Sequence, residues 1–169
     1  MNLDFGETVA LTTGVKELDF VLPRVPPTAA PNVVRISGNI SIGALSRDQY
    51  LALGLNGDFT AGQYSGYSVD YAPGQHSDVL RSLNNALIAG YTGWGKDADL
   101  VFDLVLSIST GVARSASGSY TTVHSDGRQY LSQIGGVYFD KVTPITSFKL
   151  VLPQGGIING GALMVTKAA

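Results

Sequence analysis

The sequence predicts an all-β fold: an antiparallel, jelly-roll-like β-sandwich of eight to ten strands with at most one short helix. Three observations carry this. The last quarter of the chain reads as strand, broad glycine turn, strand. Apolar and polar residues alternate over 34–42 and 102–108, the two-residue period of a half-buried strand. Turn residues recur at spacings of about eight to twelve, the rhythm of a sandwich.

Residues 1–32 read as an N-terminal arm with a proline-rich connector, ahead of a β-sandwich domain over 33–169. Val9 and Leu11 alternate in one short strand, Leu18, Phe20 and Leu22 in another, with Thr13-Gly14 as the turn. Pro23, Pro26, Pro27 and Pro31 cannot donate to a ladder and favour extended backbone. On one reading this segment, with Arg24 and Val25, docks on a neighbouring subunit. On the other it is a crossover within the same domain.

The body opens on a strand with Val34, Ile36, Ile40 and Ile42 on one face and Arg35, Ser37, Asn39 and Ser41 on the other. Tyr50–Leu55 then runs into Asn56-Gly57-Asp58, a hairpin signal, with Tyr64–Tyr71 as the expected partner strand. Over 72–98, Ser77 reads as the cap of a one- or two-turn helix with Leu80, Leu83 and Leu87 on one stripe. Phe102, Leu104, Leu106 and Ile108 form a second strong strand. Val101 and Val105 on its nominally wet side point to cover on both faces, one of them by a partner. Gly111–Ser119 reads as a loop of small residues. Tyr120–Val123 and Arg128–Ile134 flank Ser125-Asp126-Gly127, a further hairpin turn. Gly135-Gly136 is expected to break that run before Val137-Tyr138-Phe139 resumes it. Phe148, Leu150 and Leu152 alternate in the penultimate strand. Gly155, Gly156, Asn159, Gly160 and Gly161 then supply the turn of a closing hairpin.

Composition bounds the function. The 169 residues suffice for one well-buried domain. Charged residues make up 14%, against about 25% in average globular chains. Ser, Thr, Asn, Gln and Gly therefore dress the surface, or much of it faces other protein, where charge is depleted. Net charge is −2, and the 11 Lys and Arg residues are scattered singly, which argues against nucleic acid. There is no cysteine, hence no disulfide and no thiolate chemistry. No apolar run approaches the roughly 20 residues of a membrane span, and Met1–Phe5 lacks the pattern of a signal peptide. No membrane partner is expected.

The search for chemistry yields no catalytic, cofactor or metal site. His76 and His124 fall in predicted loops, and neither has a metal-type partner at ligand spacing. No nucleophile elbow, phosphate loop or dinucleotide fingerprint occurs. Asp97, Asp99 and Asp103 form the one carboxylate group worth weighing for glycoside hydrolysis, with turn chemistry and solvated acids as the plainer account. Tyr64, Tyr67, Tyr71 and Trp94, with Tyr91, offer rings suited to a glycan face or to core packing.

Three stretches carry a family resemblance. They are ITSFKLVLPQGGIINGGALMVTK (145–167), YLALGLNGDFTAGQYSGYSVDY (50–71) and DLVFDLVLSIST (99–110). They resemble the closing hairpin, the strands around a glycine turn and the central strand of a jelly-roll-like domain of bacteriophage virion structural proteins, over about residues 33–167. That family usually ends in tyrosine-glycine, and this chain departs from it with Met164-Val165-Thr166-Lys167. The resemblance implies a virion component assembled in the host cytoplasm: a capsid decoration (cement) protein or a head- or tail-associated subunit. Its partners would be itself, as a homotrimer, and the major capsid protein or tail subunits. The alternative is a virion receptor-binding module that recognises a host surface glycan.

Overall fold

The computed structural model describes residues 1–24, 32–43, 47–71, 79–93 and 97–168. Among them are twelve strands and no helix. In chain order these are β1 (Thr8–Ala10), β2 (Glu17–Val21), β3 (Val33–Gly43), β4 (Tyr50–Leu55), β5 (Tyr64–Tyr71) and β6 (Val79–Leu83). Then follow β7 (Leu87–Tyr91), β8 (Ala98–Ser107), β9 (Arg114–His124), β10 (Gln129–Tyr138), β11 (Ser147–Val151) and β12 (Ile157–Lys167). Eight of them form one antiparallel sheet in the order β1-β12-β3-β8-β9-β10-β5-β6. The other four form a second sheet, β2-β11-β4-β7, and the two layers pack as a β-sandwich.

The alternating strands behave as their sequences require. Ile36, Ile40 and Ile42 of β3 and Leu100, Phe102, Leu104 and Leu106 of β8 are buried, and their odd-numbered neighbours face outward. They meet Leu51, Leu53 and Leu55 of β4 and Phe148 and Leu150 of β11 in one core. Phe20 and Phe148 stack at 4.8 Å between ring centroids, across the β2–β11 pair.

Several expectations are corrected. Residues 1–22 do not form a separate arm, because β1 adds to the edge of the large sheet and β2 to the edge of the small one. Leu3, Leu11, Leu18 and Phe20 are core residues, and burying them within the chain is what holds this segment down. Arg24 is exposed; Val25 and most of the proline-rich connector lie outside the described residues. The expected helix is two strands: Leu80 and Leu83 belong to β6 and Leu87 to β7, with the reversal at Asn84-Asn85 between them. The small-residue loop is shorter than expected, since β9 already begins at Arg114. Gly135-Gly136 does not interrupt β10. A Cβ on Gly135 would lie 2.4 Å from the Tyr67 hydroxyl, so the glycines admit close neighbours rather than break the strand.

Two of the three expected hairpins cross between layers. β4 lies in the small sheet and β5 in the large one, so the turn at Asn56 (φ 50) and Gly57 (φ 68) carries the chain from layer to layer. Asn56 also pins residues 144–147: its Oδ1 accepts the backbone N–H of Thr146 at 2.9 Å, and its Nδ2 donates to the Pro144 carbonyl at 2.9 Å. The closing strands likewise separate, β11 pairing with β2 and β4, and β12 with β1 and β3. Of the three, only the turn at 125–127 joins strands, β9 and β10, that pair with each other.

Candidate functional site

The outer face of the large sheet divides into two halves. On β3 and β8 the outward side chains include charges, and these are paired. Arg35 Nε donates to Asp103 Oδ1 at 2.6 Å, and Nη2 to Oδ2 at 2.5 Å. The Ser37 hydroxyl donates to Asp103 at 3.0 Å, and Ser41 to Asp99 at 2.5 Å. The Arg35 hydrogen bond holds the Asp103 carboxyl below the usual range, more than offsetting partial burial.

On β9, β10, β5 and β6 the outward positions carry no charge at all. They hold Ser, Thr and Gln, and among these Val123, Leu131, Tyr67, Val69, Tyr71 and Leu80. The register makes the apolar ones contiguous. Val101 of β8 stands beside Thr121, Thr121 beside Leu131 and Leu131 beside Tyr71, while Val69 stands beside Leu80. Leu80 is 70% exposed, Val101 59% and Leu131 57%. A depression of about 380 Å³ lies beside Val101, between the Arg35–Asp103 pair and Met164.

Part of the inner face of these strands is polar where a sandwich core is ordinarily apolar, beside core residues such as Ala116 and Ile134. Ser68, Asp70, Tyr120 and Ser132 are buried, and Asp70 is 2% exposed. Asp70 Oδ1 accepts the hydroxyls of Tyr120 at 2.6 Å, Ser132 at 2.8 Å and Ser68 at 3.3 Å. Its Oδ2 accepts Arg81 Nε. The Arg81 guanidinium lies 3.5 Å from the centroid of the Tyr91 ring, and the Tyr91 hydroxyl donates to Asp48 at 2.9 Å. Burial, with the charge of Asp70, pushes the Tyr120 hydroxyl far above its ordinary value, so it stays a donor. β5 is thus reversed: its apolar Tyr67, Val69 and Tyr71 point out, and Ser68 and Asp70 point in.

The residues singled out from sequence are distributed as follows. Tyr67, Tyr71, Val101 and Val105 share the outer face, with Val105 half-buried. Tyr64 does not join them. It stacks between the layers on Tyr138 at 4.6 Å, and its hydroxyl accepts the Leu55 N–H at 2.8 Å. Tyr91 is also buried, and Trp94 and His76 lie outside the described residues. His124 is buried, on the inner face at the end of β9, and burial lowers its pKa. Asp97 is exposed, while Asp99 and Asp103 point to the same side, as expected, as cross-strand partners of β3. Among the described residues, no three of His, Asp and Glu gather to hold a metal ion.

One feature had no sequence signal. An open groove of about 560 Å³ is lined by Asp58, Gln63, Tyr138, Phe139 and Asp140. Its carboxylates are engaged in shaping the walls. Asp58 accepts the Thr60 N–H at 2.8 Å and the Tyr138 hydroxyl at 3.0 Å. Asp140 caps its own loop through the N–H groups of Val142 and Thr143, and the Thr143 hydroxyl together with those amides holds its pKa at about 2. Beside it the fully buried Arg114 donates to the carbonyls of Ser109 at 3.1 Å and Thr143 at 2.6 Å, tying both loops to β9.

Comparison with models of protein families, with curated proteins and with solved structures finds no match.

Proposed function

We propose that the protein is a structural subunit of a bacteriophage particle, a capsid-decoration or head- or tail-associated component of the virion, that works by binding other protein chains. The partners in this reading are further copies of itself and shell or tail subunits. The single observation that carries it is the reversal of β5, apolar outside and hydrogen-bonded inside, within an outer face that carries no charge across β9, β10, β5 and β6. A surface kept only for water has no use for that arrangement, whereas protein interfaces deplete charge and favour Tyr. The resemblance of residues 33–167 to phage virion domains supports the particle context. Each 100 Å² of apolar area covered contributes about 2.5 kcal/mol before the costs of association, and repeated contacts on one particle reinforce each other.

Leu131→Glu tests this. Leu131 is 57% exposed, so the variant should keep its stability to within about 0.5 kcal/mol. Incorporation into particles, measured as subunit occupancy, should fall sharply. Wild-type occupancy with a glutamate at the centre of the face overturns the reading.

The exposed rings of Tyr67 and Tyr71 favour one second reading, a receptor-binding module that stacks on a host glycan. Replacing both by alanine separates the two. Intact particles that no longer adsorb to the host support the glycan reading, and failed incorporation supports the structural one.

A further inference from the structure

The geometry points to self-association: two copies of the chain join edge to edge along β6, so that their eight-stranded sheets run on as one. β6 is the last strand of its sheet and pairs on one side only, with β5. Among the described residues, the backbone groups along its other side have no strand partner. Such an edge is a template for a further strand, and proteins ordinarily guard it with charge, proline, a bulge or a covering segment.

The other sheet edges here are guarded. β2 presents Glu17 and Asp19, and Met1 and Leu3 hydrogen-bond along Val21. β1 is only 3 residues long. β7 is buried throughout its length. Among the described residues, β6 has none of these devices. Its one charged side chain, Arg81, turns inward to Asp70, and Leu80 stands outward at 70% exposure.

A second copy suits this edge better than an unlike chain. A two-fold axis sets each patch against itself, so a charged edge repels its own copy. At the β2 edge Met1 and Leu3 already hydrogen-bond with Val21, and Glu17 and Asp19, though paired with Lys149, leave two carboxylates facing two; β6 brings only Arg81, which its own Asp70 neutralises. Antiparallel pairing centred on Arg81 engages all 5 residues of the strand. It sets Leu80 opposite Ser82 and Val79 opposite Leu83 of the second copy. Val79 and Leu83 are only half-buried in the single chain and gain cover, while each Arg81 stays neutralised by its own Asp70. The inference does not rest on the particle reading, since the chain alone in solution tests it.

Sedimentation equilibrium of the full chain, from micromolar to near-millimolar concentration, should show a reversible monomer–dimer system. Leu80→Lys, a guard residue at an exposed position, should weaken it at least about tenfold. Ser82→Glu should do the same by an independent route, so the test survives if one variant misfolds. Val142→Lys, at an 81% exposed site on the 140–143 loop, should leave it unchanged. Hydrogen exchange should show those amides of Val79–Leu83 that do not bond to β5 protected only at dimer-forming concentrations. A wild-type chain that stays monomeric or forms trimers, a dimer indifferent to both β6 variants, or protection on another strand overturns the inference.

Discussion

Asp70→Ala should cost more stability than Arg81→Ala, although each removes half of the same ion pair. Without Asp70, the buried hydroxyls of Tyr120, Ser132 and Ser68 lose their common acceptor, and Arg81 loses its counter-charge. An unsatisfied buried group costs about 1–3 kcal/mol, less where hydroxyls can re-pair. Three hydroxyls at the low end plus a stranded cation give about 3–4 kcal/mol, within the range for breaking a buried pair. Without Arg81, Asp70 keeps its three hydroxyl donors. The loss is then one charge-assisted bond and the stacking on Tyr91. The Arg81 side chain is 20% exposed, so water screens part of that, and about 2 kcal/mol remains. Urea denaturation gives both values. For a chain of this size they correspond to Tm losses of about 6–16 °C and 4–8 °C. The double variant should show coupling of about 0.5–3 kcal/mol. Arg81→Ala proving as costly as Asp70→Ala, or both falling below about 1 kcal/mol, would refute the account of the network.

Two further predictions follow from single positions. Gly161→Ala should destabilise by about 2–5 kcal/mol in the same assay, because φ is +127° there and a Cβ would lie 2.0 Å from the Asn39 carbonyl oxygen; a neutral result would mean that β12 can move away from β3. Stability should fall as pH drops below about 6.5, where the unfolded chain protonates histidine and buried His124 resists, and fall again below about 4 as Asp103 and Asp140 lose their native advantage. His124→Gln should abolish the first loss and keep the second, and a wild-type profile already flat between pH 7 and 5 contradicts this.

The strands whose two faces differ sharply, β3 and β8, were legible because period-two alternation alone determines which side is buried. Residues 79–91 were not. Leu80, Leu83 and Leu87 fall at helical spacing, yet that spacing arises from two 5-residue strands joined through Asn84-Asn85. Turn chemistry marked where the chain reverses but not what it then pairs with: Asn56-Gly57 serves a layer crossing as readily as a hairpin. Tyr64 and Tyr67 are three residues apart, so any strand sets them on opposite faces, and that much was readable. Which face goes inward was not. The alternation of β5 is plain in the sequence, but the ordinary rule buries Tyr67, Val69 and Tyr71, and the sheet buries Ser68 and Asp70 instead.

The reversal has a physical cause in the unequal width of the layers. Four strands cannot cover the inner face of eight. β7, at the edge of the small sheet, is the last strand to lie over β9, β10 and β5, and it barely reaches β6. Inner positions at that end sit near the rim of the cover yet are fully buried, with Arg81 bridging Asp70 and the Tyr91 ring. A carboxylate, three hydroxyls and an arginine satisfy one another there, and Arg81 extends to solvent. The hydrogen-bonded interior fixes β6 without needing a wider lid. The outer face is then under no obligation to carry the charges that keep a surface soluble, and β9, β10, β5 and β6 place none on it. Loss of charge from four adjacent strands together is a property of the surface as a whole, and the proposed contact with other protein would account for it.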